Sequence, residues 1–239
     1  MKNFLSLTKE FILDLLFPKF CLNCGKEENY LCDNCFSLID VLERQYCPFC
    51  NSPKVVIDNK TCSFCKRTKN LTGLYCAASY ENFIIKKLVN QFKYGSCIKE
   101  LSKPLSFLIT AHFNALGVKF TKAHIILIPV PLYKKKQKQR GFNQAEEIGK
   151  NLSEYLKIPI LNNVLIKTKQ TLSQIELKKD QRKENIKGVF SVQHPELIKN
   201  QKILLIDDIF TTGSTMEECA KVLKEKGAKK VWGVVVARG

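Results

Sequence analysis

The sequence predicts an α/β chain: a mainly parallel sheet with helices on both faces, preceded by a small cysteine-rich domain. Three observations carry this prediction. Eight of the eleven cysteines stand in four C-x-x-C units within 45 residues of the N-terminal region. Beyond Thr68, short apolar stretches of strand character alternate with stretches of helical periodicity. Near the end, the apolar run Ile203–Ile206 stops at two adjacent aspartates, and a turn rich in hydroxyls follows. The boundary falls near residue 70, giving domains 1–70 and 71–239 in a chain of 239 residues.

In the opening segment, Phe4, Leu7, Phe11 and Leu15 recur at helical spacing, which predicts a short amphipathic helix. That face either docks on the protein or rests on a membrane surface. Lys9, Glu10 and Asp14 interrupt the segment and no small-residue cleavage site follows, so it does not read as a signal peptide. No run of about 18 apolar residues occurs, so no transmembrane helix is expected. The formal charge is +17, from 39 basic and 22 acidic residues. Such an excess attracts polyanions, although a lysine-rich surface also serves solubility.

The cysteine units are Cys21/Cys24, Cys32/Cys35, Cys47/Cys50 and Cys62/Cys65. Two residues between thiolates let both sulfurs turn onto one metal ion, and zinc takes four at tetrahedral corners. Two structural zinc sites are therefore expected. Sequential pairing closes loops of seven and eleven residues, shorter than a cross-brace would close, at lower entropy cost. Metal binding would replace the core that the scattered apolar residues of this region do not provide. Cys76, Cys97 and Cys219 stand alone and read as packing residues, as do His112, His124 and His194. Tyr30, Phe36, Tyr46, Phe49 and Phe64 lie among the cysteine units, as small ribbon cores or as stacking surfaces for bases.

The second domain opens with a strand at Tyr75–Tyr80. A helix follows over Glu81–Tyr94, with Ile84, Ile85, Leu88, Val89 and Phe92 on one face and Gly95 as its stop. A second helix is expected over Ile98–Asn114, and a buried strand over His124–Tyr133, closed by two prolines. The charged run YKKKQKQRG is expected to be a loop. Asn143 caps a helix reaching Leu156. Strands near Val164–Thr168 and Gly188–Val192 flank a polar segment. The final units are the strand ending at the aspartates, a helix over Ser214–Ala228 stopped at Gly227, and a last strand from Lys230.

Ligands of open α/β sheets bind beyond the carboxyl ends of the strands, where Asp207 and Asp208 are expected. Thr211, Thr212, Gly213, Ser214 and Thr215 lead into a helix whose first N–H groups have no partners within the helix and suit a phosphate. Carboxylates accept hydrogen bonds from vicinal hydroxyls. A phosphate at one end and a diol at the other describe a ribose 5-phosphate. A Walker loop needs a lysine that this turn lacks, and no G-x-G-x-x-G occurs. A phosphorelay receiver would need more elements than the one helix and one strand expected after Asp208.

ILLIDDIFTTGST resembles the phosphoribosyl-pyrophosphate (PRPP) signature of type I phosphoribosyltransferases. LLFPKFCLNCG, the cysteine units, VPLYKKKQKQRGFNQAEEIGK and the spacing of Gln174, Leu177, Arg182 and Asn185 add a resemblance to the ComF family along nearly the whole chain. The resemblance implies a phosphoribosyltransferase-like sheet behind a double zinc ribbon. It implies that Asp207 and Asp208 meet ribose hydroxyls while Thr211 to Thr215 hold the 5-phosphate. Magnesium would accompany PRPP. Lys136 and Arg140, beside Lys134 and Lys135, would face the pyrophosphate, with Asp207, Asp208 and Arg140 as the catalytic set. Lys136 stands where the family often carries arginine, which grips phosphate in a two-pronged way that lysine does not. The implied role is natural competence: handling incoming single-stranded DNA in the cytoplasm with the competence machinery. Turnover stays open, because the sequence offers no base-recognition element and no nucleophilic cysteine beside Met1. The alternatives are a metabolic phosphoribosyltransferase and a nucleic-acid-binding module with a relic transferase site.

Overall fold

The computed structural model describes residues 18–27, 29–50, 54–57, 60–94, 98–120, 124–171 and 184–239. The amphipathic helix expected around Phe4–Leu15, the stop at Gly95, Cys97, and Gln174, Leu177 and Arg182 lie outside the described residues. In chain order the strands are β1 (Gly73–Ser79), β2 (Ile125–Pro129), β3 (Leu165–Lys167), β4 (Phe190–Val192), β5 (Lys202–Phe210) and β6 (Lys230–Arg238). The main helices are α1 (Phe83–Lys93), α2 (Ser102–Ala115), α3 (Lys134–Arg140), α4 (Gln144–Leu156) and α5 (Ser214–Glu225).

Strands β1, β6, β5 and β2 form one sheet in that order, and every pairing is parallel. Central strands of a parallel sheet are buried on both faces, which is why they read as unbroken apolar runs rather than alternating ones. Ile203 to Ile206 in the central β5 are buried, and so are all five residues of the edge strand β2. On one face α1, α2 and α4 pack over Leu127, Leu204, Ile206, Val234 and Val236. On the other, α5 packs with β3 and β4 over Ile203, Leu205, Val231 and Val235. Helix α1 starts where Asn82 Oδ1 accepts from the N–H groups of Ile84 and Ile85, at 3.0 and 3.2 Å. Its five expected core residues, Ile84, Ile85, Leu88, Val89 and Phe92, are all buried. Asn143 caps α4 by accepting from Ala145 N–H at 3.1 Å, and its Nδ2 donates to the Val130 carbonyl at 3.0 Å. One side chain thus fixes the start of α4 to the end of β2.

Two expectations need correction. The charged run is not a loop: Lys134–Arg140 is the helix α3, with Gly141 closing it at φ 78°. Lysine, glutamine and arginine lose little rotamer freedom in a helix, and glycine accepts the left-handed stop without a Cβ penalty. Strands β3 and β4 do not join the parallel sheet. They pair with each other, antiparallel, as a two-stranded ribbon.

The cysteine-rich region does not rely on an interior of its own. Cys21, Leu31, Cys32, Cys35 and Ile39 merge with the core of α1, α2 and the sheet, and Phe36 packs on Phe107 of α2 with centroids 5.1 Å apart. The chain between the second and third cysteine units lies along β1: Leu42 N–H donates to the Ala77 carbonyl at 2.8 Å. His112 of α2 holds the same stretch. Its Nδ1 bonds the Leu42 carbonyl and its Nε2 lies 3.0 Å from Gln45 Nε2. Because the amide nitrogen can only donate, the ring proton sits on Nδ1. No described helix is long and apolar enough to cross a membrane.

Burial lowers the His112 pKa from 6.5 to about 4. The folded protein therefore resists a proton that the unfolded chain accepts, so this contribution is full above pH 6.5 and is lost as pH falls toward 4. Urea titrations at pH 8 and pH 5 should show the wild type losing about 2 kcal/mol more than His112→Gln between the two conditions. Equal losses would contradict the buried neutral imidazole.

Candidate functional site

A cleft of about 620 Å³ opens at the carboxyl ends of β1, β2 and β5. Asp207, Asp208, Lys136, Arg140 and all five turn residues from Thr211 to Thr215 line it. The structure thus brings together residues that lie more than 60 positions apart in the chain.

The strand places the acids. Successive side chains of a strand leave opposite faces, so neighbouring aspartates point apart. Asp208 is buried and turns toward α1, where Lys93 Nζ lies 2.9 Å from its Oδ1. Ile209 N–H donates to the same oxygen at 2.7 Å, and Asp208 N–H donates to Asp207 Oδ1 at 2.9 Å. Burial, then the charge of Asp208, pushes the Asp207 carboxyl well above the ordinary carboxylate range. Burial opposes the Lys93 charge, but Asp208 and the hydrogen bond to it outweigh burial and raise the ammonium pKa. Sequence reasoning gave Lys93 no role. The only local signal was a lysine in the last turn of α1, one place past the buried Phe92.

The turn shows why glycine stands at position 213. Gly213 has φ +75°, and an added Cβ would meet Phe210 Cζ at 2.3 Å. No other residue tolerates both the left-handed backbone and that ring. Thr212 Oγ1 lies 3.0 Å from Ser214 Oγ, and α5 begins at Ser214. Hydroxyls and first-turn N–H groups converge there, an arrangement suited to an anion.

Cations face the turn and the acids. Lys136 and Arg140 stand one turn apart on α3. Arg140 Nη1 donates to Gln144 Oε1 at 3.0 Å, and its Cζ lies 4.9 Å from the Tyr94 ring centroid. Partial burial, then the charges of Arg140 and Lys93, lower the Lys136 pKa, although its side chain stays exposed. From the β3–β4 ribbon, Lys167 also reaches the cleft, with Nζ 2.7 Å from Thr171 Oγ1. Burial lowers its pKa, and Lys136 adds to the effect. Lys93, Tyr94, Lys167 and Phe190 are among the lining residues that the sequence did not single out.

The eight cysteines form two separate clusters, Cys21/Cys24/Cys32/Cys35 and Cys47/Cys50/Cys62/Cys65, each with its Sγ atoms within 4.8 Å of one another. This is sequential pairing. Thiolates about 2.3 Å from a tetrahedral zinc stand about 3.8 Å apart. The sulfur separations are 3.6 Å for Cys24–Cys32, 3.6 Å for Cys50–Cys62 and 3.8 Å for Cys50–Cys65, which fit zinc. They are far too long for disulfides. In both clusters the last cysteine pair opens a single helical turn, Asp33–Phe36 or Ser63–Lys66. These are structural zinc sites.

Comparison with known proteins agrees with both halves of the chain. Residues 139–239 match the family model of the phosphoribosyl transferase domain, and residues 12–66 match that of the double zinc ribbon domain. Competence protein F of Haemophilus influenzae is 29% identical over 230 residues, covering 91% of this chain and 96% of that protein. Competence protein ComFC of Bacillus subtilis is 25% identical over 213 residues, covering 84% and 81%. Among solved structures, the allosteric regulatory enzyme of purine biosynthesis is similar over 57% of this chain at 17% identity and a TM-score of 0.36; the chain spans 26% of that enzyme's length.

Metal analysis should find two zinc ions per chain. The double substitution Cys24→Ser/Cys32→Ser falls within one cluster and should leave one zinc bound. Loss of both ions would instead show that alternate units share a metal.

Proposed function

We propose that this chain, which belongs to the ComF family, binds PRPP or a related ribose phosphate in its cleft and serves natural competence. In this reading it acts in the cytoplasm, on incoming single-stranded DNA and beside other competence proteins. One observation carries the ligand assignment: an acidic pair, an anion-accepting turn and a group of cations line the same cleft. A single phosphate would need only the turn, and a nucleobase would need neither acids nor cations. The names of the relatives, both competence proteins, support the role. The charge of +17 supports contact with DNA.

The residues take the following parts. Thr211 to Thr215 hold the 5-phosphate through hydroxyls and backbone N–H groups. Asp207 and Asp208 accept from the ribose hydroxyls, directly or through the waters of a magnesium ion carried in with PRPP. Lys136 and Arg140 face the pyrophosphate; Arg140 is braced by Gln144 and Tyr94, so its fork is held in place before the ligand arrives. A transferase reading is favoured by one feature. The β3–β4 ribbon brings Lys167 and Phe190 to the cleft beside the acids, where an acceptor would stand. Pyrophosphate would then leave C1 as the acceptor's electron pair attacks it, with the cations taking up the leaving charge.

Isothermal titration with PRPP and magnesium tests the site. Wild type should bind, and Asp207→Asn/Asp208→Asn should weaken binding more than about tenfold, or about 1.4 kcal/mol. Gly213→Ala, which leaves every charge in place, should also weaken it. Undiminished binding in both variants would contradict the assignment. PRPP-dependent pyrophosphate release with purines, pyrimidines or nicotinate would add turnover to binding.

A further inference from the structure

The two zinc ribbons meet the rest of the chain at different places. The first packs on the outer side of α2 through Phe36 and Phe107. The second reaches the three elements that hold the phosphate turn. Phe49, between Cys47 and Cys50, meets Phe210 edge-on, with centroids 6.1 Å apart. Phe210 ends β5 and lies flush against Gly213. Pro48, beside Phe49, accepts from Arg238 Nη2 at the end of β6, at 3.3 Å. Just past Cys65, Asn70 N–H and Leu71 N–H donate to the Glu217 carboxylate at 2.6 and 3.1 Å, and Glu217 lies in the first turn of α5. Lys69 lies 5.0 Å over the Phe49 ring.

From these contacts we infer that Phe49 is a positioning residue for the phosphate turn, so that zinc in the second ribbon and the sugar phosphate in the cleft bind cooperatively. The inference rests on the ligand assignment above. Among the described residues, the second ribbon's own apolar cluster adds to its ligands only Phe49 and Val56, so the metal is what fixes the backbone there. Phe49 stands between two ligands of the same ion, so the metal sets the position of its ring. That ring meets Phe210, and the Phe210 ring leaves Gly213 no space to move toward it. Glu217 and Arg238 secure the flanking helix and strand to the same ribbon. A turn held in one shape before binding loses less order when an anion arrives. Coupling between two sites is reciprocal: what zinc does for the sugar phosphate, the sugar phosphate does for zinc.

The test compares Phe49→Ala, Phe49→Leu and, as a control on the first ribbon, Phe36→Ala. Titration with PRPP and magnesium, zinc content, and zinc transfer to a chelating dye are measured on the full chain. Phe49→Ala should keep both zinc ions and raise the PRPP Kd about tenfold, Phe49→Leu should restore most of the affinity, and Phe36→Ala should stay within about twofold. In the wild type, saturating PRPP should slow the release of one zinc ion and leave the other unchanged. If Phe49→Ala does not fold, the dye measurement on wild type decides alone. PRPP binding with an unchanged Kd in Phe49→Ala, or with both release rates unaffected, overturns the inference and leaves the ligand assignment standing. Failure of the wild type to bind PRPP overturns both.

Discussion

Two carboxylates at the tip of a buried central strand are the constraint around which the domain is arranged. Like charges leaving water together are costly, and an unpaired buried charge costs more than a paired one. The chain meets this cost in three ways. Lys93 reaches Asp208 at 2.9 Å, successive backbone N–H groups each satisfy one carboxylate oxygen, and Asp207 holds its proton to a higher pH than an ordinary carboxyl. No stability argument calls for this arrangement, since two apolar residues would extend the strand at lower cost. The acids are instead placed to line the cleft at the mouth of the sheet.

The rest of the cleft follows from the same position. Beyond the acids, Phe210 and Gly213 compress the chain into a tight turn, and α5 starts with its N–H groups directed at the gap. Beyond β2, α3 presents Lys136 and Arg140. The cations of α3, the two acids and the anion-accepting turn then line one cleft, a pattern complementary to a sugar carrying phosphate at both ends. The second zinc ribbon braces the turn from behind, and the first buttresses α2. Metal sites in this chain are therefore parts of the same packed body as the cleft, tied by His112, Phe49 and Glu217.

What the sequence shows depends on how local each signal is. The acids and their turn are contiguous, and their chemistry is written in adjacent residues. The zinc ligands are paired by spacing, and the short loops gave the pairing that the clusters have. Helix α1 is legible because five periodic apolar residues share one face, whereas the cap at Asn82 shows only in the structure. The run Lys134–Arg140 forms a helix although a run of charges suggests a solvated loop, because each of its residues favours a helix. Lys93 could not be read at all: its partner lies 115 residues away, and nothing near position 93 signals a buried ion pair. The same is true of Phe49 and Phe210, which meet only after the ribbon docks. Among the aromatic residues of the cysteine region, Phe36 packs on Phe107 of α2 and Phe49 on Phe210 of β5, a choice that spacing alone does not make.

The central claim is that a sugar phosphate is clasped between the acidic strand tip and the start of α5. A crystal structure of the zinc-loaded protein saturated with ribose 5-phosphate tests it most directly. The account predicts the phosphate against the backbone of Thr211 to Thr215 and the ribose hydroxyls within hydrogen-bond distance of Asp207 or Asp208. A phosphate bound elsewhere, with the turn unchanged and the ribose hydroxyls away from both Asp207 and Asp208, would contradict it.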